Sequence, residues 1–404
     1  MNVLFLSLMQ YSTINERDIY TDLLREFIRN GHHVSILSPT EGSETLIAEG
    51  NSTIYRVPTG KIEKTSFLQK GINTILIEYR FIAAIKKHLS QVHFDLVLYP
   101  TPPITFVGAV KYVKERDRAK TYLMLKDIFP QNAVDIGIMS DHGVKGLIYR
   151  FFCRKERQLY AVSDHIGCMS QANADYIIAN HSELNPHKVG ICPNCIEIVD
   201  KSVDAVTRKN IRRKYGIPED RIVFVYGGNL GRPQGIPFLV ECMKTQKENN
   251  QAFFLVVGDG TEYPVLEQYS LTEKQDNFKL MQRLPKEDYD TLVGACDVGM
   301  LFLDHRFTIP NFPSRLLSYM QAKLPVLACT DPNTDVGKVI VEGGFGWWCE
   351  SNSTDTYQET IEAILRSDLP AMGKKGAEYL LQHYTEKNGY RAIMDSFKAS
   401  GKDD

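Results

Sequence analysis

The sequence predicts an α/β protein built from two doubly wound, Rossmann-like domains. Three observations carry this expectation. Short apolar strands alternate with amphipathic helices from Val3 onward, the pattern of βαβ units on a mostly parallel sheet. The pattern lapses in a polar, charged stretch from Lys201 to Arg213 and restarts at Arg221–Tyr226. The chain has 404 residues, enough for two domains.

Composition narrows the class. Hydrophobic residues make up 43% and charged residues 24%, as in ordinary soluble proteins. A net charge of -2 argues against broad nucleic-acid binding. No apolar run reaches the roughly 18 residues of a bilayer span. Met1–Met9 lacks a basic n-region and runs into Gln10-Tyr11, so it reads as a strand and not a signal peptide. Eight cysteines scattered through the chain suit a reduced cytoplasm, and a cytoplasmic location is expected. Cys192-Pro193-Asn194-Cys195 matches C-x-x-C, but extended structure is expected on both sides and no second pair lies at zinc spacing. Two thiols in an interdomain turn are the simpler interpretation.

The first half opens with a strand at Val3–Ser7, a polar loop, a helix from Asp18 to Asn30, Gly31 as its stop and a strand at His33–Leu37. No G-x-G-x-x-G fingerprint follows the first strand, which disfavours a dinucleotide dehydrogenase. His32 and His33 have no partner at metal spacing and read as turn residues. Ile54–Pro58 is a further strand. Lys61–Lys70 and Lys145–Lys155 mix basic with apolar residues, which suits adsorption to an anionic membrane face, although a core helix with solvated cations is the simpler interpretation. Asp95–Tyr99 and Thr121–Leu125 are strands. Asp127 therefore falls at the carboxyl end of a parallel strand, where ligands bind in open α/β folds. It could also cap the helix that follows. A strand at His165–Ser170, a helix at Gln171–Asn180 and a strand at Val189–Ile191 close this half.

The second half begins with a strand at Arg221–Tyr226, a glycine-rich loop at Gly227–Gly235 and a helix at Ile236–Gln246. Glycines let backbone amides approach a phosphate. Phe253–Val257 is the next strand, then Phe278–Gln282, Arg283-Leu284-Pro285, an acidic helix and the strand Asp297–Leu303. Asn311–Ala328 reads as a helix start, a short helix with Leu316, Leu317 and Met320 on one face, and a buried strand after Pro325. Ser314 suits the N-cap, and Arg315 adds charge beside free amides. An edge strand near Glu342–Trp347 and helices near 355–366 and 372–396 finish the chain.

Pro313-Ser314-Arg315-Leu316-Leu317-Ser318 through Ala328 resembles the donor-binding segment of retaining GT-B glycosyltransferases. It is similar, more narrowly, to the family 4 enzymes of bacterial surface-polysaccharide assembly. Asp127-Ile128-Phe129-Pro130 matches an Asp-x-x-Pro segment of that family, and Gly227–Gly235 and Phe253–Gly260 are similar to two more of its segments. The family usually carries Glu-x7-Glu ending at Ser318. Pro310 and Ser318 hold those places here. The family also places Arg and Lys where this chain has Asn229 and Gln234, leaving Arg232 as a substitute.

The resemblance implies GT-B architecture, two Rossmann-like domains facing a cleft. The acceptor side would be residues 1–200 and the donor side 201–385, with a final helix in 386–404 crossing back to the first. It implies transfer of a hexosyl or N-acetylhexosaminyl unit, with retention, from a UDP-linked nucleotide sugar, without metal or cofactor. The acceptor would be a saccharide or a polyprenyl-diphosphate-linked one in capsule or O-antigen synthesis, with peripheral contact at the inner face of the membrane and no nucleic acid as partner. Asp127 would be catalytic. Gly228, Asn229, Gly231, Arg232, Ser314, Arg315 and Leu316 would meet the donor diphosphate. Arg283, Leu284 and Ser318 would meet the nucleobase and ribose, and Asn311, Phe312 and Pro313 the donor sugar. Two alternatives stand beside it. A nucleotide-sugar 2-epimerase or hydrolase could use Asp127, Asp304 and His305. A nucleotide-binding subunit without activity fits the loss of both Glu positions.

Overall fold

The computed structural model describes residues 1–60 and 67–399. The chain forms two compact units, one of residues 1–197 with the C-terminal helix from Glu386, the other of Ile198–Thr385.

The first unit holds an eight-stranded sheet: β1 (Asn2–Leu6), β2 (His33–Thr40), β3 (Thr45–Glu49), β4 (Ser52–Pro58), β5 (Leu96–Pro100), β6 (Lys120–Leu125), β7 (His165–Cys168) and β8 (Val189–Ile191). Their order is β3-β4-β2-β1-β5-β6-β7-β8. Every pairing is parallel except β3 with β4. The second unit holds β9 (Ile222–Asn229), β10 (Ala252–Asp259), β11 (Phe278–Met281), β12 (Val298–Phe302), β13 (Val326–Thr330) and β14 (Gly346–Glu350). Their order is β11-β10-β9-β12-β13-β14, parallel throughout. Each sheet reverses its direction of growth once, between β1 and β5 and between β9 and β12. A crevice opens at such a reversal above the carboxyl ends of the strands.

The helices of the first unit are α1 (Ile19–Arg29), α2 (Phe67–His88), α3 (Val107–Asp117), α4 (Gln131–Asp135), α5 (Gly143–Val162) and α6 (Gln171–Asn180). Those of the second are α7 (Ala205–Lys214), α8 (Ile236–Thr245), α9 (Tyr263–Glu273), α10 (Lys286–Gly294), α11 (Arg315–Gln321), α12 (Val336–Glu342), α13 (Thr354–Leu365) and α14 (Leu369–His383). The last helix, α15 (Glu386–Ala399), belongs to the first unit.

Local chemistry explains the element starts. The Asp18 carboxylate accepts from the amides of Tyr20 and Thr21, and Thr21 answers from its side chain, a capping box for α1. Leu23, Leu24 and Phe27 then bury one face against β1 and β2. α15 lies against α1: the Tyr390 ring meets Phe27 edge-on at 4.8 Å, and its hydroxyl is 2.9 Å from His32 Nε2. The Glu386 amide donates to Ile196 O at 3.1 Å. Glu197 closes this corner, accepting from Arg25 at 2.7 and 3.1 Å and also from Arg29.

Three expectations need correction. Gly227–Asn229 is not loop. It extends β9, because Gly228 and Asn229 pair with Gly258 and Asp259 of β10. The expected helix over 372–396 is two, α14 and α15, separated at Tyr384-Thr385 where the chain passes from one unit to the other. The strand Ile54–Pro58 was expected, but its edge partner β3 was not, since Thr45–Glu49 is largely exposed and its apolar run, Leu46–Ala48, is short.

Candidate functional site

In the second unit the carboxyl end of β9 is packed too tightly for side chains. A Cβ on Gly227 would lie 1.8 Å from Tyr289 Oη, and one on Gly258 would lie 2.0 Å from Gly228 O. Gly228 has φ +113°, open to glycine at little cost. The chain then makes a 3-10 turn at Arg232–Gln234 before α8. The Asp304 amide, just beyond β12, donates to Pro233 O at 3.0 Å. That bond ties the loop to the neighbouring strand at the reversal point of the sheet.

The residues standing at the family's Arg and Lys positions serve each other. Asn229 Nδ2 donates to Gln234 Oε1 at 3.1 Å, and the Gly231 amide donates to the same oxygen at 3.1 Å. Arg232, the expected substitute, is exposed and lies 3.7 Å from Glu262. Such a surface pair is worth little. Arg306 is committed too, donating to both oxygens of Asp304 at 2.9 and 2.7 Å. Burial works against the Asp304 charge, but Arg306 holds its pKa below the usual carboxylate range.

Arg315 is different. Its guanidinium carbon lies 4.3 Å from the centre of the Tyr226 ring. A Cβ on Gly228 would meet Arg315 Nη2 at 3.1 Å. Its Nη1 is buried and has no hydrogen-bond partner among the described residues. Burial works against its charge, yet Tyr226, Tyr319 and Tyr289 together keep its pKa above the ordinary value. Burial pushes the Tyr319 hydroxyl up to about 12, so this phenol stays neutral. A cation over an aromatic ring, with a buried donor unused, has the chemistry to receive an anion.

The remaining second-unit residues are distributed unevenly. Ser314 occupies the N-cap position, but its backbone is already helical at φ -64° and ψ -21°, and its side chain caps nothing. A capping serine needs extended backbone to reach the following amides. Leu316 and Phe312 have buried side chains, Phe312 facing Tyr384 at 6.0 Å, so their side chains serve the core. Asn311 and Pro313 are half-buried, and the Asn311 carbonyl accepts from Thr334. Arg283 is exposed, 4.0 Å from Asp259, and Leu284 is half-buried before α10. Ser318 Oγ accepts from Lys201 Nζ at 3.2 Å, and the same ammonium lies 2.9 Å from Asp290 Oδ1. Lys201, Asp290 and the three tyrosines escaped the sequence analysis. Tyr319 lies within the Pro313–Ala328 segment, but only packing brings the five together.

In the first unit Asp127 follows β6, next to the reversal of that sheet. Thr101 Oγ1, beyond β5, accepts from the amides of Lys126 and Asp127 at 3.1 and 3.2 Å and donates to Asp127 O at 2.9 Å. Asn132 Nδ2 lies 2.7 and 2.8 Å from the two carboxylate oxygens. Pro130 holds the N-cap of α4 and no side chain caps that helix, so the capping role is not the one Asp127 plays. Burial raises its pKa to about 6, against the opposing Asn132 contact.

α5 carries the second basic and apolar stretch. Leu147, Ile148 and Phe151 are 62%, 46% and 41% exposed, beside Arg150 and Arg154 on the same helix. Lys155 pairs inward with Glu78 at 3.1 Å. Lys61–Ser66, from the other such stretch, lies outside the described residues. Cys192 and Cys195 are buried free thiols. Among the described residues no group of three or more His, Cys, Asp or Glu could hold a metal ion, and no helix is long and apolar enough to cross a membrane.

Two mostly parallel sheets covered by helices, one in each unit, define a two-domain GT-B protein. Residues 19–199 match the model named Glycosyltransferase Family 4, and residues 207–384 match Glycosyl transferases group 1. The chain is a GT-B glycosyltransferase resembling the family 4 enzymes. It is 26% identical over 326 residues to the Pseudomonas aeruginosa protein WbjE, named a probable glycosyltransferase, covering 80% of this chain and 78% of that one. It is 21% identical over 362 residues to Escherichia coli (strain K12) WcaI, named as a candidate colanic acid biosynthesis glycosyl transferase, covering 87% and 85%. Among solved structures, sucrose-phosphate synthase of Thermosynechococcus elongatus superposes with a TM-score of 0.75 at 13% identity, covering 100% of both chains. Anabaena HepE in complex with UDP gives 0.67 at 14% identity, covering 99% of this chain and 100% of that one.

Proposed function

We propose that the protein transfers a sugar, with retention of configuration, from a UDP-linked donor to a saccharide or polyprenyl-diphosphate-linked acceptor in surface-polysaccharide synthesis. The observation that carries this is Arg315, a cation with a buried, unused donor beside Gly228 at the carboxyl end of β9. A diphosphate leaving water needs such a partner. Arg315 and the Gly228 backbone would hold it, with Asn229, Gly231 and Arg232 lining the approach. Arg283, Leu284 and Ser318 would face the nucleoside, and the backbone of Asn311–Pro313 the donor sugar. The name of WbjE supports glycosyl transfer, that of WcaI supports polysaccharide synthesis, and the UDP bound by HepE supports the donor class.

In the proposed step the acceptor oxygen attacks the anomeric carbon on the face the diphosphate leaves. The new C–O bond forms as the bond to phosphate breaks, and the departing phosphate oxygen takes the acceptor proton. Arg315 stabilises the charge that grows on that oxygen, so no metal is required of the mechanism. Asp127, on the first unit, would orient the acceptor or stabilise positive charge at the sugar ring. The exposed apolar and basic face of α5 would rest on the anionic inner surface of the cell membrane, where a lipid-linked acceptor is found.

UDP release measured with and without a lipid-linked acceptor, in the presence of a chelator, tests this function. Acceptor-dependent release supports transfer. Conversion of the donor without acceptor supports an epimerase or hydrolase, and tight UDP binding without turnover supports a binding subunit.

A further inference from the structure

Ser318 lies three residues after Arg315 on α11, so both project from one side of the helix, about one 5.4 Å turn apart. Beneath Ser318 is a polar knot that the diphosphate site does not use. Lys201 Nζ donates to Ser318 Oγ at 3.2 Å and to Asp290 Oδ1 at 2.9 Å. Lys286 Nζ donates to the other carboxylate oxygen, Oδ2, at 3.1 Å. The Lys201 side chain is 10% exposed and that of Asp290 is 21% exposed. Lys201 is fixed by its backbone as well, its amide donating to Gln321 O at 3.0 Å. The neighbour of Asp290 on α10, Tyr289, packs against Gly227 and helps hold the Arg315 charge. Consecutive residues of α10 therefore serve Arg315 and Ser318.

An ion pair this enclosed is not needed to neutralise the surface, and well-packed apolar side chains would stabilise the fold as well or better. Its chemistry suits a ligand rich in hydroxyl groups. Each carboxylate oxygen keeps a lone pair after binding its lysine, and a carboxylate accepts hydrogen bonds from adjacent hydroxyls. In a nucleotide sugar two hydroxyl-rich groups adjoin the diphosphate, and with the donor sugar assigned to the backbone of Asn311–Pro313, the group on the Ser318 side of Arg315 is the pentose.

We propose that Asp290, held by Lys201 and Lys286, is the carboxylate that binds the ribose hydroxyls of the donor nucleotide, with Ser318 beside it. This rests on the nucleotide-sugar function proposed above. Lys201 is a positioning residue, fixing Asp290 and Ser318 together.

Calorimetry with UDP and 2′,3′-dideoxy-UDP tests the assignment. Wild type should prefer UDP by about 10- to 100-fold, the range expected for hydrogen bonds to a charged group. Asp290→Asn should bring that preference below about threefold while its affinity for dideoxy-UDP stays near wild type, and Asp290→Glu should retain much of the preference. Should Asp290→Asn fail to fold, Lys201→Met, which leaves Asp290 paired with Lys286, should show the same loss of preference. A folded Asp290→Asn or Lys201→Met protein with the full preference would overturn the assignment. Absence of any nucleoside diphosphate binding by wild type would instead overturn the donor site itself.

Discussion

The guanidinium of Arg315 faces the ring of Tyr226 at 4.3 Å, and among the described residues no carboxylate lies close enough to pair with it. The ring holds the cation in place without neutralising it. Tyr226 also donates from its hydroxyl to Asn229 O at 3.1 Å. Tyr226→Phe keeps the ring and should leave UDP affinity within about threefold of wild type. Tyr226→Leu removes a cation–π contact worth roughly 1–2 kcal/mol when desolvated, and affinity should fall about 5- to 30-fold. Equal affinities for the two variants would show that the ring does not position Arg315.

Asp127 carries a second prediction. Its pKa is raised to about 6, above the unfolded value of roughly 3.9. The folded state therefore binds this proton more tightly. The associated stability is present below the unfolded pKa and is lost as pH rises through about 6. At pH 7.5 Asp127→Asn should melt no lower than wild type. Its turnover should fall about 100-fold, the usual scale for a lost electrostatic contact in a transition state. Wild-type turnover should decline as pH drops through about 6, and the variant should lack that step. Unchanged turnover in the variant would remove Asp127 from the catalytic site.

The corner at Glu197 makes a stability prediction of opposite sign. Burial raises the Glu197 pKa, but Arg25 and Arg29 outweigh it and the net shift is downward. Stability from this group is present above the unfolded pKa and lost as pH falls through the lowered folded value. Glu197→Gln should cost roughly 1–3 kcal/mol at pH 7, and the gap from wild type should narrow in acid. Thermal melts at pH 7 and pH 4.5 check it, and a gap that widens in acid would contradict it.

The proposed membrane contact is tested on α5. Replacing Leu147 and Phe151, 62% and 41% exposed, by Ser should abolish co-flotation with anionic liposomes. Arg150→Glu should weaken it more at low salt than at high salt, because each basic group contributes on the order of 1 kcal/mol at an anionic surface. Wild-type protein that floats at neither salt would exclude the contact.

Much of the fold was legible because parallel strands buried on both faces are written as apolar runs, such as Phe253–Val257 and Val298–Phe302. Glycines past the end of such a run read as loop, and Gly227–Asn229 turned out to be strand because pairing with β10 outweighs glycine's weak propensity. The candidate site was legible where a motif marks it, at Asp127 and Arg315. It was not legible where contacts are long-range. Lys201 and Ser318 are separated by 117 positions and Lys201 and Asp290 by 89, and no local pattern announces either pair. The burial of Leu316 and Phe312 was likewise hidden, since an apolar residue beside a binding motif reads the same whether it faces ligand or core.

The central proposal is that Arg315 holds the donor diphosphate, and calorimetry on Arg315→Ala with UDP and with uridine tests it most directly. Charge-assisted bonds to phosphate are worth roughly 1.5–3 kcal/mol. The variant should therefore bind UDP about 10- to 100-fold more weakly than wild type while its affinity for uridine barely changes. Arg232→Ala, exposed beside Glu262, should show a smaller shift of the same kind. Equal losses for UDP and uridine in Arg315→Ala would mean that the residue shapes the pocket and does not hold the phosphates.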